Sequence, residues 1–341
     1  MLHPSAPPET LAALSELLRI PCRVAITTHH NPDGDAIGSS LALARMLGKV
    51  GHTVHVVLPN PAPGNLRWMP GYAEALDHST APTACEEAIA TADVLFCLDF
   101  NRADRVYGLE TALRNAPVKV LIDHHRGPEG IFQIIFSDIS ASSTCQMVCD
   151  VITGLGLEEL VDAEVANSLY AGIMTDSGSF RFSSTGPHTH RVAAFLLERG
   201  ARPDRVHEAI MEDNTLDRLR LTGYALHERL QLLENGAATL ISLSKEDLER
   251  FRFVPGDTEG LVNYGLTVRG VRIAAFLVER KDGIKISLRS KGNLPVNELV
   301  AEHFEGGGHG NAAGGRSADT LQETEAKLIK ELPGFLAKYP A

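Results

Sequence analysis

Nine ionisable side chains stand where apolar runs end. Residues 24–28 lead into His29, His30, Asp33 and Asp35; residues 94–98 into Asp99; residues 118–122 into Asp123, His124 and His125; residues 169–174 into Asp176. Carboxylates gathered in one cleft repel each other unless protons or cations sit among them. Imidazole and carboxylate donors without thiolates suit Mn²⁺ best, with iron, cobalt and zinc also accommodated. The donors exceed what a single ion needs. Two ions roughly 3.5–4 Å apart, sharing one carboxylate, would use them fully, activating a water and clamping an in-line phosphoryl displacement. The expected reaction is phosphoester hydrolysis with two divalent metal ions, Mn²⁺ favoured.

Any single aspartate here has a plainer reading as a turn former or helix cap. The joint pattern argues otherwise, because each cluster ends an apolar segment. Asp33 and Asp35 flank Gly34, so both carboxylates can point the same way in an extended turn. Between His29 and His30 the residue pattern alone does not choose.

These clusters must be brought together by the elements that carry them. β-prone runs at residues 24–27, 53–58, 94–98 and 118–122 alternate with helical spacing at 36–50 and 103–115. That alternation predicts an α/β fold: an N-terminal, mostly parallel, doubly wound sheet with helices on both faces, plus a smaller C-terminal α/β domain. Ligands of such sheets bind beyond the carboxyl ends of the strands. Further helices are expected over 142–153, 163–174 and 189–199. The expected domains are a catalytic domain over 1–200, a helical connector over 201–236 and a substrate-binding domain over 237–341. In the last, 281–283 (Lys-Asp-Gly) suits a hairpin turn and the stretch 306–314 reads as a glycine-rich loop.

That loop is a second candidate site. Consecutive glycines let backbone N–H groups approach an anion closely. Gly307, Gly308, His309 and Arg289 are the expected substrate-binding residues, with Arg269 and Arg316 behind them. Between residues 266 and 316 eight basic side chains face five acidic ones. His188 and His190 read as helix-start residues, and Trp68 and Tyr72 as packing. Ser177 and Ser179 lack a base at recognisable spacing.

Composition narrows the partners. The 341 residues are 44% hydrophobic and 22% charged, ordinary for a globular chain, with net charge −11. A protein tracking a long nucleic-acid duplex usually needs a basic surface, so a small anionic ligand fits better. No apolar run approaches a membrane span, and no signal-peptide layout opens the chain, so a cytoplasmic protein without a membrane partner is expected. Five cysteines without a Cys-x-x-Cys pair read as free thiols. Homo-oligomerisation is left open.

The motif set His29-x-x-Pro-Asp33-x-Asp35-Ala-x-Gly-Ser, lone Asp99, Asp123-His124-His125 and Thr-Asp176 resembles motifs I to IV of the DHH phosphoesterase superfamily. Gly306-Gly307-Gly308-His309-x-x-Ala312-Ala313-Gly314 resembles the glycine-rich motif of the DHH-associated C-terminal domain. Size and motif complement are most similar to the bacterial nanoRNase/pAp phosphatase branch. The resemblance selects His29 over His30. It implies His29, Asp33 and Asp99 on one metal, and Asp35, Asp99, His124 and Asp176 on the other, with Asp99 bridging. It also implies His125 facing the substrate phosphate, Asp123 orienting a histidine, and a C-terminal domain that holds the nucleotide. The implied substrates are short oligoribonucleotides and 3'-phosphoadenosine 5'-phosphate (pAp), hydrolysed to mononucleotides. The alternative is pApA or cyclic di-AMP. A non-catalytic nucleotide-binding member would be expected to lack some metal residues, and none is missing.

Overall fold

The structure, a computed structural model, describes residues 6–340. The chain forms two compact units, Met1–Asp213 and Asn214–Ala341. The first contains helix α1 (Pro8–Leu17), strand β1 (Arg23–Thr28), α2 (Gly34–Lys49), β2 (Thr53–Leu58), β3 (Leu76–Asp77) and α3 (Pro82–Ala90). It continues with β4 (Val94–Leu98), α4 (Glu110–Asn115), β5 (Lys119–Asp123), β6 (Ile134–Ser137), α5 (Thr144–Gly154), α6 (Ala163–Asp176), α7 (Pro187–Glu198) and α8 (Pro203–Met211).

Its six strands run in the order β3-β2-β1-β4-β5-β6, every pair parallel. β4 and β5 are buried along their whole length, as strands covered on both faces must be. One face packs Ile26, Phe96 and Ile122 against α2, α5 and α6; the other packs Ala25, Leu95 and Leu121 against α3 and α4. The expected doubly wound sheet is therefore present. β1 and β4 are neighbours from which the chain winds outward in opposite directions, which makes their carboxyl ends the switch point.

Small residues decide how closely the helices meet. A Cβ on Gly38 would lie 2.4 Å from the Ser168 carbonyl oxygen, and one on Gly172 would lie 2.2 Å from Cys145 Sγ. These glycines let α2, α5 and α6 press together beside the sheet.

The second unit holds α9 (Leu216–Tyr224), β7 (Leu230–Leu233), β8 (Ala238–Leu243), α10 (Lys245–Arg250), α11 (Leu261–Thr267), β9 (Ile273–Arg280) and β10 (Gly283–Ser290). It ends with α12 (Val296–His303), β11 (Glu305–His309), β12 (Ala312–Ser317) and α13 (Leu321–Lys338). Its sheet order is β11-β12-β10-β9-β8-β7, antiparallel except for β8 with β9. Ile284, Ile286 and Leu288 pack with α12 and α13 on one face, whereas Ala274 and Phe276 pack with α9, α10 and α11 on the other.

Three local expectations differ from this structure. Residues 201–236 are not one helical connector: α8 belongs to the first unit, while α9 and β7 belong to the second. β7 is an edge strand whose Gln231 and Leu232 are both exposed, so it shows no clean alternation to read. The helix expected over 103–115 is a 3₁₀ segment, Ala103–Leu109, interrupted at Tyr107 and followed by α4. The glycine-rich stretch is a hairpin of β11 and β12 rather than a loop. A Cβ on Gly306 would lie 2.2 Å from the Gly314 carbonyl oxygen and 2.9 Å from Val300 Cγ1, so glycine lets the strands and α12 close together.

Candidate metal centre

β1 ends at Thr28, and His29 follows directly beyond the carboxyl end of the sheet. The His29 Nδ1–H points to the His30 carbonyl oxygen, 3.0 Å away. A carbonyl only accepts, so Nδ1 carries the proton and Nε2 keeps its lone pair when the ring is neutral. His29 Nε2 lies 3.4 Å from Asp99 Oδ2 and 4.0 Å from Asp33 Oδ1. The His30 ring instead stacks on Tyr107.

Asp33 caps α2, its Oδ1 accepting from the amides of Asp35 and Ala36 at 3.0 and 3.1 Å. The cap and the candidate ligand are thus one residue. Its side chain is 59% exposed, leaving it at the solvent edge of the cluster. Asp35, in the first turn of α2, is fully buried. Its two oxygens accept from the backbone amides of Thr144 and Cys145 at the start of α5, at 2.6 and 2.8 Å.

Asp99 follows β4 with φ +65°, a left-handed conformation that aspartate tolerates better than most residues. This turns its carboxylate back between the two histidines. Oδ2 faces His29, and Oδ1 faces His124 Nε2 at 3.5 Å. The Thr144 hydroxyl donates to Oδ1 at 2.9 Å. His124, beyond β5, has its Nδ1 3.3 Å from the Ala141 carbonyl oxygen, the same tautomer arrangement as His29. Its Nε2 is 3.4 Å from Asp176 Oδ2 and 3.9 Å from Asp35 Oδ2. Asp123 is fully buried and binds its neighbour's ring, with His125 Nδ1 at 2.7 Å from Oδ1 and the His125 amide at 3.1 Å from Oδ2.

Among the described residues three groups of potential ligand atoms, each within 4.8 Å of one another, emerge: His29, Asp33 and Asp99; Asp35, His124 and Asp176; and Asp99, His124 and His125. Asp99 and His124 each recur in two groups. The electrostatics follow from this crowding. Burial pushes Asp35 well above the usual carboxylate range, reinforced by Asp99 and Asp176, and burial pushes Asp176 up to about 7. Burial pulls the imidazoles of His29 and His124 down, but Asp99 and the other carboxylates overcome it and raise them to about 9 and about 10. Burial would likewise raise Asp99, yet His124 and His29 hold it well below its ordinary value. Carboxylates and imidazoles crowded this closely favour a positive charge among them, whether from protons or from cations. Two imidazole Nε2 atoms aimed inward, their other nitrogens fixed on carbonyls, and several inward carboxylates form a donor set that fits divalent metal ions.

Sequence reasoning assigns Thr144 no role and marks Cys145 only as a buried free thiol, which it is. The only available signal was Ser142-Ser143-Thr144 opening a helix, a generic cap pattern, and Ser143 does cap α5. His188 and His190 stay outside the cluster: His188 Nε2 binds Asp150 at 2.8 Å, and the His190 ring lies on Phe180. In the second unit, Arg289 on β10 is opposite Ala312 of β12, which is opposite His309 of β11, so the three share one row of the sheet. Burial lowers the Arg289 guanidinium while Glu259 opposes this, marking a partly desolvated cation. The His309 side chain lies outside the described residues. Arg316 pairs with Asp282 at 2.7 Å on the surface.

This constellation can be set beside known proteins. The chain matches the DHH family, N-terminal domain, over residues 23–173 and the DHHA1 domain over residues 247–338. It is 31% identical to the bifunctional oligoribonuclease and PAP phosphatase NrnA of Thermus thermophilus, over 95% of this chain and 94% of that one. The chain belongs to the DHH phosphoesterase family. Within that family its similarity to NrnA, shared with the Bacillus subtilis protein at 28% identity over 84% of this chain and 86% of that one, places it in the NrnA-like branch. The crystal structure of an exopolyphosphatase-related protein from Bacteroides fragilis is similar throughout, with TM-score 0.94 and 35% identity over 98% of this chain and 99% of that one. Among the described residues no helix is long and apolar enough to cross a membrane.

Proposed function

We propose that this DHH-family member hydrolyses short oligoribonucleotides and pAp to mononucleotides, using two divalent metal ions of the Mn²⁺ type. The carrying observation is the position of Asp99, whose two carboxylate oxygens face His29 and His124 on opposite sides. His29, Asp33 and Asp99 would hold one ion; Asp35, Asp99, His124 and Asp176 would hold the other. When bound, such a pair lowers the pKa of an attacking water and neutralises charge on the phosphoryl oxygens.

The chain's own groups supply the rest. Asp123 fixes the ring of His125 through Nδ1, orienting it to donate a hydrogen bond or proton to the substrate phosphate. Asp33 and Asp35 are held by backbone amides, so they are ordered before any ligand arrives. In the second unit, Arg289, His309, Gly307 and Gly308 are the proposed anion-holding residues, supported by their shared or adjacent sheet positions.

The preference for short RNA and pAp is supported by similarity to the NrnA proteins along nearly their whole length. A second reading, cleavage of pApA or cyclic di-AMP, is favoured by 29% identity to the cyclic-di-AMP phosphodiesterase PdeA of Listeria monocytogenes, of which this chain spans 49%. Comparing pAp, RNAs of a few residues, pApA and cyclic di-AMP with EDTA-stripped and then Mn²⁺-loaded protein decides between them. Metal-dependent release of AMP from pAp and of mononucleotides from RNA is expected. If all four stay intact with Mn²⁺, the phosphoesterase reading is wrong.

A further inference from the structure

The loops after β1 and β4, which deliver His29 and Asp99, also deliver two aromatic rings that the phosphate chemistry does not use. His30 follows β1, and Tyr107 lies in the 3₁₀ segment after β4. Their ring centroids are 4.2 Å apart with 29° between planes, a stacked pair. The His30 amide donates to the Arg105 carbonyl oxygen at 2.7 Å, which ties the two loops together. The pair is also linked to the metal cluster, because the His30 carbonyl is the group that fixes the His29 ring.

Two properties of Tyr107 set it apart from a packing aromatic. Its backbone has φ +49° and ψ −117°, a conformation that costs a residue with a Cβ about 1–3 kcal/mol. That strain gains no core burial, since the residue is 68% exposed. Tyr72 shows the contrasting case: it is half-buried, and its hydroxyl accepts from the Ala62 amide at 3.0 Å. Strain retained at the rim of a reactive cluster, with a ring face left to solvent, is the arrangement expected of a ligand-contacting residue.

We infer that the His30–Tyr107 pair is a stacking shelf for the nucleobase of the substrate whose phosphate reaches the Asp99 cluster. This deepens the proposed function and rests on its nucleotide substrate. Every base offers a π face, so such a shelf holds short RNA of any sequence as well as pAp. It belongs to the first unit, whereas the proposed anion-holding residues belong to the second.

Two readouts test it on the full chain. The first is quenching of a 2-aminopurine analogue of pAp in Ca²⁺, which reports stacking without hydrolysis. The second is steady-state hydrolysis in Mn²⁺ of pAp and of ribose 3',5'-bisphosphate, which carries the phosphates but no base. Tyr107→Ala should lose most of the quench and raise KM for pAp on the order of tenfold, with little change for the base-free compound. Tyr107→Phe should behave as the parent. The melting temperature of Tyr107→Ala should change little, because alanine keeps the same strained backbone and the ring it removes is 68% exposed. The shelf is refuted by an undiminished quench in Tyr107→Ala, or by equal losses on both compounds. If the parent hydrolyses neither compound, the proposed function fails, and the quench alone still judges the shelf.

Discussion

Thr144 binds Asp99 through its side chain, the hydroxyl donating to Oδ1 at 2.9 Å, while its own amide holds Asp35 Oδ2 at 2.6 Å. One residue at the start of α5 thereby sets the distance between two carboxylates that come from different strands and helices. Where these carboxylates hold metal ions as proposed, outer partners of this kind contribute about 10–100-fold in metal affinity. Thr144→Val, which keeps the shape and removes the hydroxyl, should weaken Mn²⁺ binding by about that factor in a calorimetric titration. Thr144→Ser should restore it. Equal affinities in all three proteins would show that the hydroxyl only fills space.

The histidines predict how the metal-free protein responds to pH. His29 and His124 are raised from 6.5 to about 9 and about 10, because Asp99 and its neighbours outweigh burial. A group raised on folding contributes stability that is complete below its unfolded pKa and is lost as pH rises through its folded value. The melting temperature of EDTA-stripped protein should therefore fall between about pH 6.5 and pH 10. Asp176, raised from 3.8 to about 7 chiefly by burial, acts in the same direction but mainly below this window, between about pH 3.8 and pH 7. With saturating Mn²⁺ the imidazoles are already deprotonated, so this part of the slope should vanish. Asp99→Asn should flatten the metal-free slope too, and asparagine tolerates the left-handed backbone there. A metal-free protein whose melting temperature is constant across the window contradicts the charge arrangement described.

Helix contact at Gly172 predicts a coupled loss of stability and activity. An added Cβ would meet Cys145 Sγ at 2.2 Å and the Asp35 Cα at 3.0 Å. Gly172→Ala should cost about 1–3 kcal/mol in denaturant unfolding and lower metal affinity, since α6 also carries Asp176. Gly48 supplies the control: it is helical, exposed and open to an added Cβ. Gly48→Ala should stabilise by roughly 0.5–1 kcal/mol and leave hydrolysis unchanged.

Arg289 predicts a binding effect separable from chemistry. Arg289→Met should raise KM for pAp roughly tenfold, with kcat nearly unchanged, if it grips substrate equally in ground and transition states. Arg289→Lys should recover only part of the loss, because an ammonium cannot reproduce the planar fork. An unaltered KM in Arg289→Met would remove it from the substrate site.

Much of this protein was legible in linear order, for a physical reason. β4 and residues 120–122 of β5 are buried on both faces, so they are continuously apolar, and polarity returns at the residue that follows each run. That is why Asp99 and Asp123-His124-His125 stood out, and why the parallel sheet could be inferred with them. Where burial is one-sided or partial the signal faded. β7 exposes two of its four residues, and the β11–β12 hairpin is built from glycines whose role is to let backbones approach. Choosing His29 over His30 needed a resemblance to a family or the structure, because adjacent residues of the same type differ only in where their rings are turned. Thr144 was beyond sequence reading altogether. Its function depends on contacts with residues 35 and 99, and only packing α5 against α2 and the sheet creates them.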